Sequence, residues 1–508
     1  MKSSSHIIKK IGFVIFVVAL FIDTFISGLF SWFLVSFGVS FREIIYTIKS
    51  PLKGANNDFF RTASTFVAPH IPTFVILLAF GIFLFFRMRR YMSMDLTFGS
   101  ASKKEIKIDG INLLTILMFI AVVSYSIIIL YRIDTRLEIT KFIHDYNART
   151  QLYEEYYVLP DEEKITADKQ KNLLYIYMES METTYASRAD GGEQPEINYI
   201  PNLTRIANEN ISFSDEDGLG GFISAKDTDW TMSAIWATQT GAAFNFPIGG
   251  NEDFGNQEKF SKNTVTLGDI LKEKGYTQEF LCGSDATFGG RKAFFEDHGD
   301  FEIFDLFTAE EKGYLTPAEE VNWGVEDWRL YEIAKDELTR LASEGGPFNL
   351  TMLTVDTHHY DGWICPLCED TYPEQLANVL ICADKQINDF LTWCSTQDWY
   401  DDTVIVIQGD HPRMDQALVS EARDRKVYNC FINTGYDKTK LDIKNRQFNT
   451  MDMFPTVLSA LGYNVPDGRL GLGTDMFSGK KTLCEELSSD YIDAEVQKYS
   501  QFYADNFY

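Results

Sequence analysis

Histidine and cysteine are both scarce in this chain of 508 residues, with seven of each. Seven cysteines over such a length cannot form the dense framework of a small disulfide-stapled fold. Basic residues are in deficit as well, 46 Lys and Arg against 73 Asp and Glu, which excludes the broad cationic footprint that nucleic acid requires. No internal repeat or low-complexity tract is present, so a solenoid or repeat array is excluded too. The acidity is uneven: residues 1–150 hold 17 Lys+Arg and 9 Asp+Glu, and the remainder holds 29 and 64. A body this acidic keeps an extracytoplasmic domain soluble and is repelled by an anionic membrane surface, so any anionic substrate must be drawn by a local site.

Long apolar runs are confined to the first 133 residues. They cover about 11–39, 71–86 and 111–131, and a helix needs ~20 apolar residues to cross a bilayer. The first run is too long for a signal-peptide core and lacks a small-residue cleavage site, so it reads as a retained anchor. Lys2, Lys9 and Lys10 precede it, and Arg87, Arg89, Arg90, Lys103, Lys104 and Lys107 separate the second run from the third. By the positive-inside rule those segments are cytoplasmic, and everything after residue 133 lies outside the cell or in the periplasm. Four cations in the loop 40–70 weaken the bias without reversing it. Asp23, inside the first run, is assigned no role. Residues 134–158 read as a helix leaving the membrane, followed by an acidic linker to residue 170. Residues 171–483 form the extracytoplasmic domain, and 484–508 an acidic, aromatic tail.

Within 171–483, short apolar runs alternate with helical patterns. Strands are predicted at 172–178, 278–282, 348–355, 403–408 and 427–432, and helices at 231–240, 264–275, 325–343, 372–395 and 451–461. Continuous apolar strands alternating with helices predict an α/β domain whose central, largely parallel sheet is covered on both faces. Ligands of such sheets bind beyond the carboxyl ends of the strands. Three predicted strands end in groups suited to metal binding or acid–base work: Glu179, then Asp356-Thr357-His358-His359, then Gly409-Asp410-His411. Of the four histidines beyond residue 150, three sit at these ends. Each group alone has a plain structural reading, such as a helix cap or a solvent-facing loop pair. Converging on one sheet edge, they suit Zn²⁺, Mn²⁺ or Mg²⁺.

A nucleophile is sought in GFISAKDTDWTMSAIWATQTG (221–241). Thr228 precedes the helix that starts near Trp230 or Thr231, where free N–H groups and the helix dipole favour a phosphate. The same Asp-Thr-Asp run makes a good N-cap, and Thr231 and Ser224 compete for the role. Cys365 and Cys368 (ICPLC) stand close enough in sequence to pair or to bind a metal. A single CxxC argues against structural zinc and leaves a local staple or two free thiols.

From about 170 to 480 the sequence resembles the sulfatase-fold branch of the alkaline phosphatase superfamily, in particular the lipoteichoic acid synthases and the phosphoglycerol transferases that decorate periplasmic glucans. The resemblance rests on NLLYIYMESMETTY, DTDWTMSAIWATQTG, FGGRKAFFEDHG, TVDTHHYDG, VIVIQGDHPRM, MDMFPTVLSALG and DGRLGLGTDMFS, in family order. It implies an alkaline-phosphatase-like fold and one divalent metal, Mn²⁺ foremost with Mg²⁺ or Zn²⁺ as alternatives. The implied ligands are Glu179, Asp410, His411 and Thr228, with Thr228 also the nucleophile. His358 would lie near the substrate phosphate or glycerol, Arg291 near the head group, and Arg413 would assist. The implied reaction takes phosphoglycerol from phosphatidylglycerol, through a phosphothreonine, to a glycan or glycolipid. Three spans and Gly289-Gly290 before Arg291 favour the glucan-type transferases. The formylglycine motif of true sulfatases is missing at 224–231. A phosphoethanolamine transferase, or a hydrolase with water as acceptor, is the alternative; a non-catalytic wall-binding protein would require a broken site.

Overall fold

The computed structural model describes residues 16–21, 23–31, 41–49, 66–87, 93–96, 106–246, 260–261, 263–321, 323–358, 360–419 and 425–507. Contacts divide the chain into two compact units, residues 1–39 with 57–140, and residues 40–56 with 141–508.

The smaller unit contains the helices His70–Arg87 and Gly110–Leu137 and an antiparallel pair, Ser93–Leu96 with Ile106–Asp109. Asp23 accepts hydrogen bonds from the Ser126 hydroxyl, at 2.8 Å for Oδ2. The predicted span 11–39 lies partly outside the described residues. Among the described residues no helix is long and apolar enough to cross a membrane, so the three-span expectation gains no support there. The single helix predicted over 134–158 is interrupted. Glu138 adopts a left-handed φ of 51°, and separate helices follow at Ile139–Asn147 and Leu152–Tyr156.

The larger unit is built on six strands: β1 (Asn172–Met178), β2 (Thr277–Cys282), β3 (Glu302–Phe304), β4 (Phe348–Leu353), β5 (Thr403–Gly409) and β6 (Asn429–Ile432). Their order is β3-β2-β4-β1-β5-β6, parallel throughout except for β6, which runs antiparallel to β5. The strand period of two sends Leu173, Tyr175 and Tyr177 into one core, and Leu174, Ile176 and Met178 into another. All six are at most 1% exposed, so the apolar run is continuous because both faces of the sheet are covered.

Five helices matter to the site: α1 (Phe41–Lys49), α2 (Thr231–Thr240), α3 (Arg291–Asp297), α4 (Asp327–Glu344) and α5 (Gln375–Cys394). Helix α2 occupies its predicted range. Strand β3 has three residues and left no periodic signal. The tail forms helices Leu483–Leu487, Ser489–Val496 and Gln501–Phe507, with Ile492, Val496, Tyr503 and Phe507 buried in the first core.

Candidate active site

Strands β4, β1 and β5 are adjacent and parallel, so their carboxyl ends open onto one edge of the sheet. This arrangement brings Glu179, from the end of β1, to Asp410 and His411, from the end of β5. One ligand atom from each lies within 4.8 Å of the others, and all three residues are buried. Gly409 permits the approach: a Cβ there would stand 2.0 Å from the Met181 carbonyl oxygen. Ser180, at a left-handed φ of 53°, donates its N–H to Asp410 Oδ1 at 2.8 Å and its hydroxyl to Glu179 Oε1 at 2.7 Å. Backbone strain of this kind concentrates at working sites.

The donor set fits a divalent cation. His411 Nδ1 donates to the Pro412 carbonyl at 2.8 Å, leaving the Nε2 lone pair facing the group. Nε2 is 3.3 Å from Asp410 Oδ2 and 3.8 Å from Glu179 Oε1. Asp410 Oδ2 is buried with no hydrogen-bond partner among the described residues. Burial and the neighbouring Glu179 push the Asp410 carboxyl up to about 7. For Glu179 burial acts upward too, but the charges of His358 and His411 outweigh it and lower the pKa. For His411, Asp410 and Glu179 outweigh burial and raise it. Two buried carboxylates this close repel each other, and a cation between them relieves the repulsion. Two carboxylates and an imidazole suit Mn²⁺, Mg²⁺ or Zn²⁺.

Thr228 does not face the ligand group in this structure. Its hydroxyl is fully buried, donating to the Ala225 carbonyl at 2.8 Å and sharing a 2.9 Å hydrogen bond with Thr450 Oγ1. The hydroxyl against the ligand group belongs to Thr231, the first residue of α2. Thr231 Oγ1 is 3.3 Å from His411 Nε2 and 3.5 Å from Glu179 Oε2. Thr231 is half-buried, so a substrate can reach it. Trp230 caps the helix by donating its N–H to Ser233 Oγ at 3.1 Å. Ser224, the other competitor, donates to the Thr228 carbonyl at 3.0 Å.

His358 lies on the turn after β4, its ring 4.8 Å from that of Trp323, and its charge reaches Glu179. His359 is outside the described residues. Arg291 opens α3 with its guanidinium folded into the preceding loop, donating to the Phe288 carbonyl, Ser284 Oγ and the Asp285 carbonyl at 3.1 Å each. Phe288 in turn packs on Trp323, ring centres 5.6 Å apart, so Arg291 and His358 stand at opposite ends of one aromatic run.

Arg413 is placed differently from expectation. It is 1% exposed, forks onto Asp415 at 2.7 and 2.9 Å, and donates to the Thr357 carbonyl at 2.5 Å. These bonds engage its guanidinium within the protein. Thr357 passes the support on, donating its hydroxyl to the Glu179 carbonyl at 2.5 Å.

Two residues from far upstream were not foreseen. Arg42 of α1 forms a buried ion pair with Asp227 at 3.0 Å and donates to Asn245 Oδ1 at 2.5 Å. Tyr46 donates its hydroxyl to the Gly289 carbonyl, and its ring packs near Trp230 and Phe244. Helix α1 thereby braces both the Asp227–Trp230 loop and the loop before Arg291. No local pattern signals contacts between residues some two hundred positions apart.

The Sulfatase family model matches residues 171–463. Phosphoglycerol transferase I of Escherichia coli strain SMS-3-5 is 34% identical over 334 residues, covering 64% of this chain and 41% of that protein. The protein of the same name in strain K12 is 33% identical over the same shares. The chain therefore spans about two-fifths of the length of these curated relatives. Among solved structures, the lipoteichoic acid synthase LtaP from Listeria monocytogenes aligns with a TM-score of 0.47 and 20% identity, over 62% of this chain and 80% of that one.

Proposed function

This chain belongs to the Sulfatase family, in the alkaline phosphatase superfamily, and from that premise we propose that it transfers phosphoglycerol from phosphatidylglycerol to a glycan or glycolipid acceptor. The observation that carries the proposal is the Thr231 hydroxyl, held at the start of α2 against Glu179 and His411.

Glu179, Asp410 and His411 would hold one divalent cation, Mn²⁺ foremost with Mg²⁺ or Zn²⁺ as alternatives, with the Thr231 oxygen beside it. Such a cation, when bound, lowers the pKa of the hydroxyl and neutralises phosphate oxygens. The Thr231 oxygen, its proton already lost to solvent, attacks the phosphorus of the lipid as the alkoxide; the bond to the diacylglycerol oxygen breaks, and the glycerol phosphate becomes a phosphothreonine diester. His358 donates a proton to the departing oxygen. An acceptor hydroxyl then attacks the same phosphorus, loses its proton to His358, and frees Thr231. Dividing one displacement into two lowers each barrier. The first N–H groups of α2 favour the phosphate, and Arg291 is assigned to the glycerol phosphate head group. Asp227 and Arg42 hold the loop that sets the start of α2.

The amino-terminal apolar runs are proposed to anchor the protein, with residues 171–483 on the outer face of the membrane, where a lipid donor is at hand. Support comes from the length of those runs and from the cations between them.

The test supplies the full chain with labelled phosphatidylglycerol, a divalent metal and candidate glycans. Metal-dependent diacylglycerol release with label appearing on carbohydrate supports the proposal. Label released as free glycerol phosphate would make the protein a hydrolase, and no release at all would remove the lipid donor.

A further inference from the structure

Three of the seven cysteines meet at one point, and the candidate active site uses none of them. Cys365 Sγ is 3.5 Å from Cys368 Sγ and 3.7 Å from Cys382 Sγ, and the three sulfurs lie within 4.8 Å of one another. The first two come from the CPLC segment, which turns back on itself where Cys368 donates its N–H to the Cys365 carbonyl at 3.0 Å. The third comes from α5. Sequence spacing shows only the CxxC; Cys382 lies fourteen residues further on and reaches the pair through the fold.

The geometry is that of a cation cup. A disulfide joins two sulfurs at about 2.0 Å and would leave the third as a bystander. Sulfurs at the corners of a tetrahedral zinc–thiolate site, with Zn–S near 2.3 Å, stand about 3.8 Å apart. The two separations from Cys365, 3.5 and 3.7 Å, fall close to that edge length. Gln386, one helical turn beyond Cys382, directs its amide Nε2 to Cys382 Sγ at 3.1 Å and to Cys365 Sγ at 3.6 Å. Amide donation to sulfur stabilises thiolate charge and is a common outer support for metal ligands. Cys365 and Cys382 are 2% and 6% exposed. Cys368 is half-buried, so one side of the cup is open to solvent.

The cup also has a defined place in the fold. The segment leaving β4 carries Asp356 and His358. It is held at its near end by Asp327, whose carboxylate accepts the N–H groups of Val355 and Asp356 at 2.8 and 3.0 Å. Trp363 donates its N–H to the Asp356 carbonyl at 2.7 Å and its indole N–H to Glu326 at 3.0 Å. Cys365 follows two residues later, and α5 already holds this stretch at both ends: Gln375 donates to the Gly362 carbonyl at 2.8 Å, and Asn378 Oδ1 accepts the N–H groups of Thr371 and Tyr372 at 2.9 and 2.8 Å.

We propose that Cys365, Cys368 and Cys382 bind one thiolate-preferring d¹⁰ cation, Zn²⁺, at a structural site separate from Glu179, Asp410 and His411, and that this ion fastens the His358 segment to α5. The three thiols give up their protons on binding, so affinity rises with pH. Sulfur donors select zinc over the manganese or magnesium suited to the oxygen-rich site, so the two positions differ in chemistry.

The test is optical and stands apart from transferase activity, so it can fail while the proposed function survives. The reduced full chain is stripped with chelator and titrated with Co²⁺, which gives an intense sulfur-to-metal charge-transfer band only when thiolates are ligands. One equivalent is expected to produce the band, and Zn²⁺ to bleach it. Cys382→Ser should lose it, Asp410→Asn should keep it, and Cys368→Ser at the half-buried position should lose it without threatening the fold. Two results would overturn the proposal. One is a folded, reduced chain with no thiolate band. The other is a peptide map of the chain, purified without reductant, in which two of the three sulfurs are joined to each other.

Discussion

Thr231 Oγ1 lies 3.3 Å from His411 Nε2, whereas the hydroxyl of Thr228, three residues earlier in the loop before α2, is enclosed between the Ala225 carbonyl and Thr450. The two threonines should therefore respond oppositely to truncation. Thr231→Ala is expected to bring diacylglycerol release down to background while the unfolding midpoint moves little. Thr228→Ala is expected to retain activity and lose about 1 kcal/mol of stability with its buried hydrogen bonds. Lipid turnover and urea unfolding of the two variants, measured side by side, check both halves.

Arg42 and Asp227 form a buried ion pair, 5% and 0% exposed at the side chain. Burial raises the Asp227 pKa, and Arg42 opposes that rise. Removing the guanidinium leaves a buried carboxylate without its partner, a change that costs about 3–5 kcal/mol. Arg42→Ala should accordingly destabilise the larger unit by that order and lower transfer through the loop that leads to Thr231. Arg42→Lys should recover part of the loss, since the charge remains while the bonds to Asn245 and the nearby carbonyls are incomplete. Chemical denaturation of the purified chain reads both variants.

At Gly409 the backbone of β5 passes against the Met181 carbonyl, and a Cβ would meet that oxygen at 2.0 Å. Backbone has little room to yield. Gly409→Ala is expected to cost about 1–3 kcal/mol as overpacking does, and to weaken divalent-metal affinity because Asp410 and His411 follow directly. Calorimetric titration of Mn²⁺ into the variant checks the second effect.

Asp452 is fully enclosed, and burial pushes its carboxyl up to about 7 although it accepts the N–H groups of Asn449 and Thr474 at 2.8 and 2.7 Å. The folded chain therefore holds this proton more tightly than the unfolded chain, whose Asp titrates near 4. Between about pH 4 and pH 7 the folded state binds more protons, so the contribution of this group to stability falls as pH rises. Asp452→Asn lacks that slope. The stability gap between wild type and variant should narrow from pH 4 to pH 7 and hold steady above. Urea midpoints across that range test the sign.

The strands around the site were legible because β1, β4 and β5 are buried on both faces and therefore read as unbroken apolar runs. Parallel neighbours must end on the same edge, which is why Glu179 and the Asp410-His411 pair could be brought together from sequence. The start of α2 was less legible. Asp227, Thr228, Asp229 and Thr231 all carry cap-forming or nucleophilic side chains, and only the fold reveals which of them faces His411. The bonds of Arg413 to Asp415 and Thr357 were not legible, because a buried arginine serving them has the same local sequence as one serving a phosphate. Arg42, Tyr46 and Cys382 act through contacts remote in sequence, and a periodic pattern carries no record of such contacts. Strand β3 and the short helices after Leu483 fell below the length at which periodicity speaks.

Thr231 is proposed to carry the phosphoglycerol between donor and acceptor. The most direct measurement incubates the full chain with phosphatidylglycerol and divalent metal in the absence of acceptor, quenches in acid, and maps the modified peptide by mass spectrometry. A glycerol phosphate adduct is expected on the peptide containing 228–241, fragmenting to Thr231, and absent from Asp410→Asn. An adduct on Thr228, or diacylglycerol release with no covalent adduct under any quench, would contradict it.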